Sequence, residues 1–495
     1  MTPRISILGS ILALCVTATG HAARIEPRLA RVLARGDVHG THVVWVFFAD
    51  KGPSVAAMQQ VSARSLARRA QRGAPVAAAA DQPVATAYVE RLRPHVTAVR
   101  QLSRWFNAVS VEATPEQIAT IAQLPMVKKL DAVTLSARAP ELGPSDTPRE
   151  VLAPPKPGPR TTGLDYGLSL PQLQLIGVTD LHGRGLSGLG VLVAHFDNGY
   201  RLLSHQVFAT TRIVATHDFV DGDVDPAPPA GSDPSWGEHG ISTLSVLAGN
   251  FPGKLIGAAY GADFALARTE NDASETPFEE DNWVAAMEWA DSLGADVISS
   301  SVGYLEYSGF PSWTWEDMDG NTTVITRAAD LATARGIVVV NAAGNSGFNS
   351  LHNTLMAPAD GDSVITVGGV QPNGQIYFGS SIGPTLATPP RIKPDVVAQA
   401  TAVYLAGSDN TTHYGYNSGT SFSCPLVAGV VALMLESKPF ATPVVIANAL
   451  RATASRAAMP DNSFGYGIVN SVAAELWIPT GIEPSSMSHI KGLYR

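Results

Sequence analysis

Nothing in this chain constrains its fold more than the passage from Gly419-Thr420-Ser421-Phe422-Ser423-Cys424-Pro425 into the apolar run Leu426 to Leu435. A glycine-containing turn that opens directly into an apolar stretch of helical length predicts a buried helix headed by a small hydroxyl residue. Ser421 then stands at the helix N-terminus, where unpaired N–H groups and the positive dipole end favour developing negative charge. Pro425 is expected in the first turn, the place where a missing N–H does least harm. A serine nucleophile also needs a base, a group that orients the base and a donor to the oxyanion.

Upstream segments supply a candidate for each. Gly190 to Gly199 reads as a buried strand ending in Asp197-Asn198-Gly199, and open parallel sheets place their sites at the carboxyl ends of strands. Gly237-Glu238-His239-Gly240 reads as a loop entering a helix that runs to Ala248, with Gly240 small enough for close approach of another chain segment. Val338 to Gly347 is a β run opening into Gly344-Asn345-Ser346-Gly347, where the Asn345 amide can donate to an oxyanion. Taken singly, Asp197 reads as a turn residue, His239 as a helix-entry histidine, Asn345 as a loop residue and Ser421 as an N-cap. Their joint order and placement argue for more.

At these residues the chain resembles the subtilisin-like serine peptidases. Phe196-Asp197-Asn198-Gly199, His239-Gly240 and Gly419-Thr420-Ser421 match the family's Asp, His and Ser motifs in its chain order. The resemblance implies Ser421 as nucleophile, His239 as general base and acid, Asp197 as orienter and Asn345 as oxyanion donor. Ser301-Val302-Gly303 resembles the substrate-binding strand. The family's second histidine, one turn after the base, is Ser242 here, Cys424 replaces a small residue, and Tyr304 stands where many relatives have glycine, so a partly occluded pocket wall is expected. Sedolisin-like peptidases would require carboxylates in place of His239 and Asn345. A lipase would require a glycine two residues after Ser421. An exported binding protein on a dead peptidase fold would have lost one of these residues.

Strands and helices alternate from Tyr166 onward, predicting an α/β domain whose mostly parallel sheet is covered by helices on both faces. Ahead of it lies a small α+β pattern: a strand at His42–Asp50, an Ala/Arg-rich helix at Ser54–Arg72, strands near Trp105–Ala113 and Val127–Val133, and a helix opened by Thr114-Pro115-Glu116-Gln117. This resembles the family's inhibitory propeptide. The expected organisation is a signal peptide (1–23), a propeptide-like inhibitor and chaperone domain (24–136), a processing linker (137–162), the catalytic domain (163–478) and a tail (479–495).

Residues 24–150 carry a net charge of +6 and residues 151–495 a net charge of −16, so the two parts attract. The acidic balance argues against nucleic acid as a partner. Protein or peptide substrates and the chain's own N-terminal propeptide are the expected partners. Arg4 followed by an apolar run too short to span a membrane predicts export. Only Cys424 would remain after signal removal, excluding an internal disulfide. The chemistry requires no cofactor. The resemblance admits a structural calcium, and Asp317-Met318-Asp319-Gly320-Asn321 offers alternate oxygen side chains, but no metal ligands are assigned.

Overall fold

The structure is a computed structural model describing residues 23–34, 40–52, 61–76, 79–133, 163–273, 276, 278–307, 312–349 and 351–479. The expected signal peptide, the processing linker and the tail beyond residue 479 lie outside these residues, as does the first part of the expected Ser54–Arg72 helix.

The front domain has the order β1 (Arg24–Ile25), α1 (Pro27–Ala34), β2 (His42–Phe48), α2 (Ala63–Gln71), α3 (Thr86–Leu92), β3 (Ala98–Ser103), β4 (Ala108–Ala113), α4 (Pro115–Ile121) and β5 (Val127–Ala132). Its sheet runs β1-β5-β2-β4-β3. Helix α4 starts where its sequence predicts: Thr114 and Gln117 close a reciprocal capping box, and Pro115 occupies the first turn. Alternate residues of β2 serve two cores. Val44, Val46 and Phe48 pack inside the front domain, whereas Val43, Trp45 and Phe47 pack against the second domain.

The second domain continues with α5 (Leu170–Gln174), α6 (Val178–Gly183), β6 (Leu192–Asp197), β7 (Arg212–Asp218), α7 (Glu238–Ala248), the short pair β8 (Asn250–Phe251) and β9 (Leu255–Ile256), β10 (Asp263–Arg268), α8 (Phe278–Leu293) and β11 (Val297–Ser300). Then follow α9 (Val324–Thr333), β12 (Val338–Ala342), β13 (Ile365–Val370), β14 (Val396–Gln399), the hairpin β15 (Val403–Ala406) with β16 (Tyr414–Asn417), α10 (Thr420–Ser437), α11 (Pro443–Thr453) and α12 (Ser471–Trp477). The main sheet runs β14-β13-β12-β11-β6-β10-β7, every pair parallel. The order of strands reverses at β6, so the end of β6 is the topological switch point at which such sheets bind ligands.

Alternation along these strands builds a core on each face. Val193, Phe264, Leu266, Val338 and Val340 meet α7, α10 and α11, while Ala194, Phe196, Ala265, Ala267 and Val339 meet α8 and α9. Helix α10 is apolar and long enough to cross a membrane by composition, but 89% of it is buried, as befits a core helix. Pro425 corrects an expectation, because it lies inside α10, beyond the first turn. Proline removes the N–H that would bond the Ser421 carbonyl. The Ser301 hydroxyl takes that carbonyl instead, at 2.8 Å. Strands β7 and β14, helices α1, α5, α6, α11 and α12, and the β15–β16 hairpin were not anticipated from sequence.

The front domain docks on the outer side of α8 and α9 through charge as well as apolar contact. Asp291, fully buried, receives Arg68 at 2.5 Å, Arg69 at 2.6 Å and Arg104 at 3.1 Å. Asp296 receives Arg64 at 2.6 Å and Arg72 at 2.8 Å. The same arginines donate to carbonyls beyond the C-terminal ends of the two helices, Arg68 to Ala295 O at 2.6 Å and Arg72 to Gly336 O at 2.7 Å. Cations suit that end of a helix, where carbonyls are left without intrahelical donors.

Candidate active site

Three strand or helix ends converge at the carboxyl edge of the main sheet. Asp197 is the last residue of β6 and is fully buried. His239 is the second residue of α7, and its Nδ1 lies 2.6 Å from Asp197 Oδ1. The approach of α7 to this strand end depends on Gly240, where a Cβ would come within 2.1 Å of the Gly199 carbonyl oxygen. The Thr243 hydroxyl donates to Asp197 Oδ2 at 2.8 Å, and the Asn198 N–H donates to Oδ1 at 2.8 Å. Both oxygens of the carboxylate are thus engaged.

Burial raises the Asp197 carboxyl, but the His239 charge and hydrogen bond, with the Asn198 N–H, outweigh it and hold the acid below its usual range. Burial likewise pushes the His239 imidazole down. Asp197, then Asp272 and Glu270, reverse that push, leaving the imidazole more basic than usual. Each partner favours the other's charged form.

Ser421 is the second residue of α10, so its N–H is among those that no carbonyl of the helix can reach. Its hydroxyl points toward the Ser301 carbonyl oxygen at 3.5 Å and makes no hydrogen bond to His239. Catalytic hydrogen bonds in ligand-free sites often tighten only with substrate. Asn345 follows the β12 turn. Its Oδ1 accepts the Thr420 N–H at 2.9 Å and the Thr420 hydroxyl at 3.1 Å, which leaves the amide NH₂ as the group available to a ligand. A cleft of about 230 Å³ beside His239 is lined by Asn198, Ser235, Glu238, Ser242, Asn417 and Phe422.

Ser301, Val302 and Gly303 continue from β11 past Ser421. The Val302 carbonyl is taken by Asn341 Nδ2 at 3.1 Å, whereas the Gly303 main chain makes no hydrogen bond among the described residues. Tyr304 corrects an expectation: its ring does not narrow the pocket. It is 1% exposed, packs in the core with α8, and its hydroxyl meets Glu279 O at 3.3 Å and the Glu270 carboxylate. Ser242 donates to Ala406 O at 3.2 Å. Cys424 is buried, with Sγ 3.3 Å from Ser300 O, and burial pushes its thiol up to about 12, which keeps it an inert packing group.

Thr243, Asn198, Thr420 and Asp272 were missed from sequence. Thr243 was discoverable, since it lies four residues after His239 and therefore on the same helix face. In the Asp317 to Asn321 loop the oxygens are taken up by the loop itself, and in the acidic stretch Asp218 to Asp225 they are partly taken by an arginine of β10. Asp319 accepts from Asn321 N, Thr322 N and the Thr322 hydroxyl, while Arg268 pairs with Asp218 and Asp221. Among the described residues no group of three or more His, Cys, Asp or Glu is arranged to hold a metal ion.

A parallel sheet whose carboxyl edge gathers an Asp–His pair, a helix-borne serine and an asparagine amide has the build of a serine-type peptidase. Comparison with known proteins makes this specific. The subtilase family of S8 peptidases matches residues 188–467, and the S8 propeptide domain of Bacteroidota matches residues 43–145. Subtilisin DY from Bacillus licheniformis is 32% identical over 303 residues, covering 61% of this chain and 97% of that protein. Fervidolysin from Fervidobacterium pennivorans is 30% identical over 350 residues, covering 64% of this chain and 46% of that protein. The fervidolysin crystal structure shares the fold with a TM-score of 0.60 at 21% identity, over 94% of this chain and 64% of that one. The chain belongs to the subtilase family: it is a serine-type endopeptidase made with an N-terminal propeptide.

Proposed function

We propose that this subtilase cleaves peptide bonds by attack of Ser421 Oγ on the scissile carbonyl, with His239 taking the hydroxyl proton and Asp197 holding the imidazolium. The observation that carries this reading is the 2.6 Å Asp197–His239 contact at the switch point of the sheet, on the same edge as Ser421. In this reading the Ser421 side chain turns away from Ser301 to meet the ring nitrogen of His239 that Asp197 does not engage. The Asn345 NH₂ and the Ser421 N–H receive the oxyanion. His239 then returns the proton to the leaving amine, and water repeats the sequence on the acyl-enzyme. An extended substrate pairs with the unoccupied main chain of Gly303 beside Ser301 and Val302, adding a strand. The chemistry calls for no cofactor.

The wider reading is that the chain is exported, that residues 24–136 act as inhibitor and folding aid for residues 163–478, and that the enzyme cuts its own linker within residues 137–162. Purified wild-type protein and Ser421→Ala, compared by gel and N-terminal sequencing, test all of this together. The wild type should begin within the linker, and the variant should keep its front domain and cleave no casein. A mature-sized product from Ser421→Ala expressed alone would overturn self-processing. Wild type that stays full length yet cleaves casein would make the front domain a permanent accessory.

A further inference from the structure

Helix α7, which carries His239, has no cap of its own. Gly237 sits at its N-cap in the left-handed conformation (φ 75°) and has no side chain to receive a first-turn N–H. Glycine at Gly237 and Gly240, on either side of His239, gives this end of the helix little intrinsic backbone preference of its own. The Ser235 carbonyl takes the Glu238 N–H at 3.2 Å, and two side chains from elsewhere in the chain take the N–H groups on either side of it and His239. Asp272, in the turn after β10, accepts the Gly237 N–H through Oδ2 at 3.0 Å. Asn198, the residue after Asp197, accepts the Gly240 N–H through Oδ1 at 3.0 Å. The two are joined to each other, Asn198 Nδ2 donating to Asp272 Oδ1 at 2.6 Å.

We propose that Asp272 and Asn198 are positioning residues for His239, forming a clamp that fixes the first turn of α7 against the end of β6. The ring of bonds runs from β6 through Asn198 to Asp272, on to Gly237, along the helix to Gly240 and back to Asn198. His239 lies on the arc between the two held N–H groups, so its imidazole has one approach to Asp197. The contacts leave Asn198 a single amide orientation, with NH₂ toward the carboxylate and oxygen toward the helix. A plain turn-closing aspartate would spend its oxygens on its own loop. Here Asn271 does that, accepting the Ala273 N–H at 3.1 Å, while both Asp272 oxygens reach out of the turn. Asp272 also adds negative charge beside the imidazole, with Asp197, Glu270 and the neighbouring Glu238. His195 on β6, pushed down to about 4 by burial, adds no positive charge near neutrality.

The inference rests on the proposed role of His239, and the test separates the two. In full-length Ser421→Ala protein, where no turnover is needed, histidine NMR follows the His239 titration and its Nδ1–H resonance. The His239 imidazole should titrate at lower pH in Asp272→Asn, because a negative charge beside it is lost, and Asp272→Glu should move it back. With Ser421 intact, Asp272→Asn and Asn198→Ala should each lower kcat by about 10-fold with KM little changed, short of the roughly 10²-fold of gross misplacement. The acid limb of kcat/KM should move with the titration. Unchanged titration and unchanged kcat would overturn the proposal, as would a fall in melting temperature alone, which would mark the contact as loop stability. An inactive wild type would sink the catalytic reading while the NMR still decides the clamp.

Discussion

Helices α8 and α10 lie on opposite faces of one sheet, and both are largely buried, yet by different means. Between Thr420 and Leu435 α10 has no charged residue, and it is covered by α7, the sheet and α11 of its own domain. Helix α8 opens with Glu279-Glu280-Asp281 and carries Glu288 and Asp291 further on, all of them buried. Much of its cover belongs to the front domain: Ser110 and Arg100 reach Asp281, Ser103 reaches Glu288 at 2.5 Å, and three arginines reach Asp291. An apolar helix such as α10 cannot be uncovered without a large hydrophobic cost. A helix whose buried groups are carboxylates can be uncovered, because water solvates what the arginines release. If the front domain is removed, as proposed above, this contrast makes the α8 face the less costly one to expose.

The largest expected effect probes that difference at its centre. Asp291→Ala leaves Arg68, Arg69 and Arg104 without their shared partner and should destabilise the full-length protein, carried in Ser421→Ala to prevent self-cleavage, by about 3–5 kcal/mol in urea unfolding. In the separated second domain the same substitution faces water and should change stability by less than about 0.5 kcal/mol. Equal costs in both forms would break the comparison. Gly429→Ala is the counterpart on α10. Its Cβ would lie 2.3 Å from the Ala258 Cβ, so overpacking should cost about 1–3 kcal/mol with or without the front domain.

The smallest expected effect concerns pH. Burial raises the carboxyls of Asp281 and Glu288 above their usual values, with the arginines only partly offsetting it. A group whose value is raised in the docked state binds protons more tightly there, so protonation favours docking as pH falls through that raised range. Front-domain affinity for the second domain, measured in Ser421→Ala background at about pH 5 and pH 7.5, should therefore be equal or modestly tighter at the lower pH. Release on acidification would show that other groups govern the seam.

Legibility followed the range of the interactions. The Thr114 capping box, the strand ending in Asp197 and the helix entry at His239 are set by neighbours within a few residues, and each stands where the sequence predicts. Helix α2 was legible as an Ala/Arg-rich helix, and the charge contrast between front and rear residues was legible as attraction. Neither revealed that its arginines meet at Asp291 and Asp296.

What the sequence determined by itself is the set of element ends: small residues, caps and turns place Asp197, His239, Asn345 and Ser421 at edges of strands and helices, because those preferences act locally. Tertiary structure alone decided what those ends touch. It put Pro425 inside α10, where Ser301 takes the released Ser421 carbonyl, turned Tyr304 into the core rather than the cleft, and brought Asp272 to the uncapped start of α7. Each of these satisfies a buried or terminal polar group with a partner dozens of residues away. Hydrogen-bonding demand is written in the local sequence, but the partner that meets it is chosen only when the layers pack.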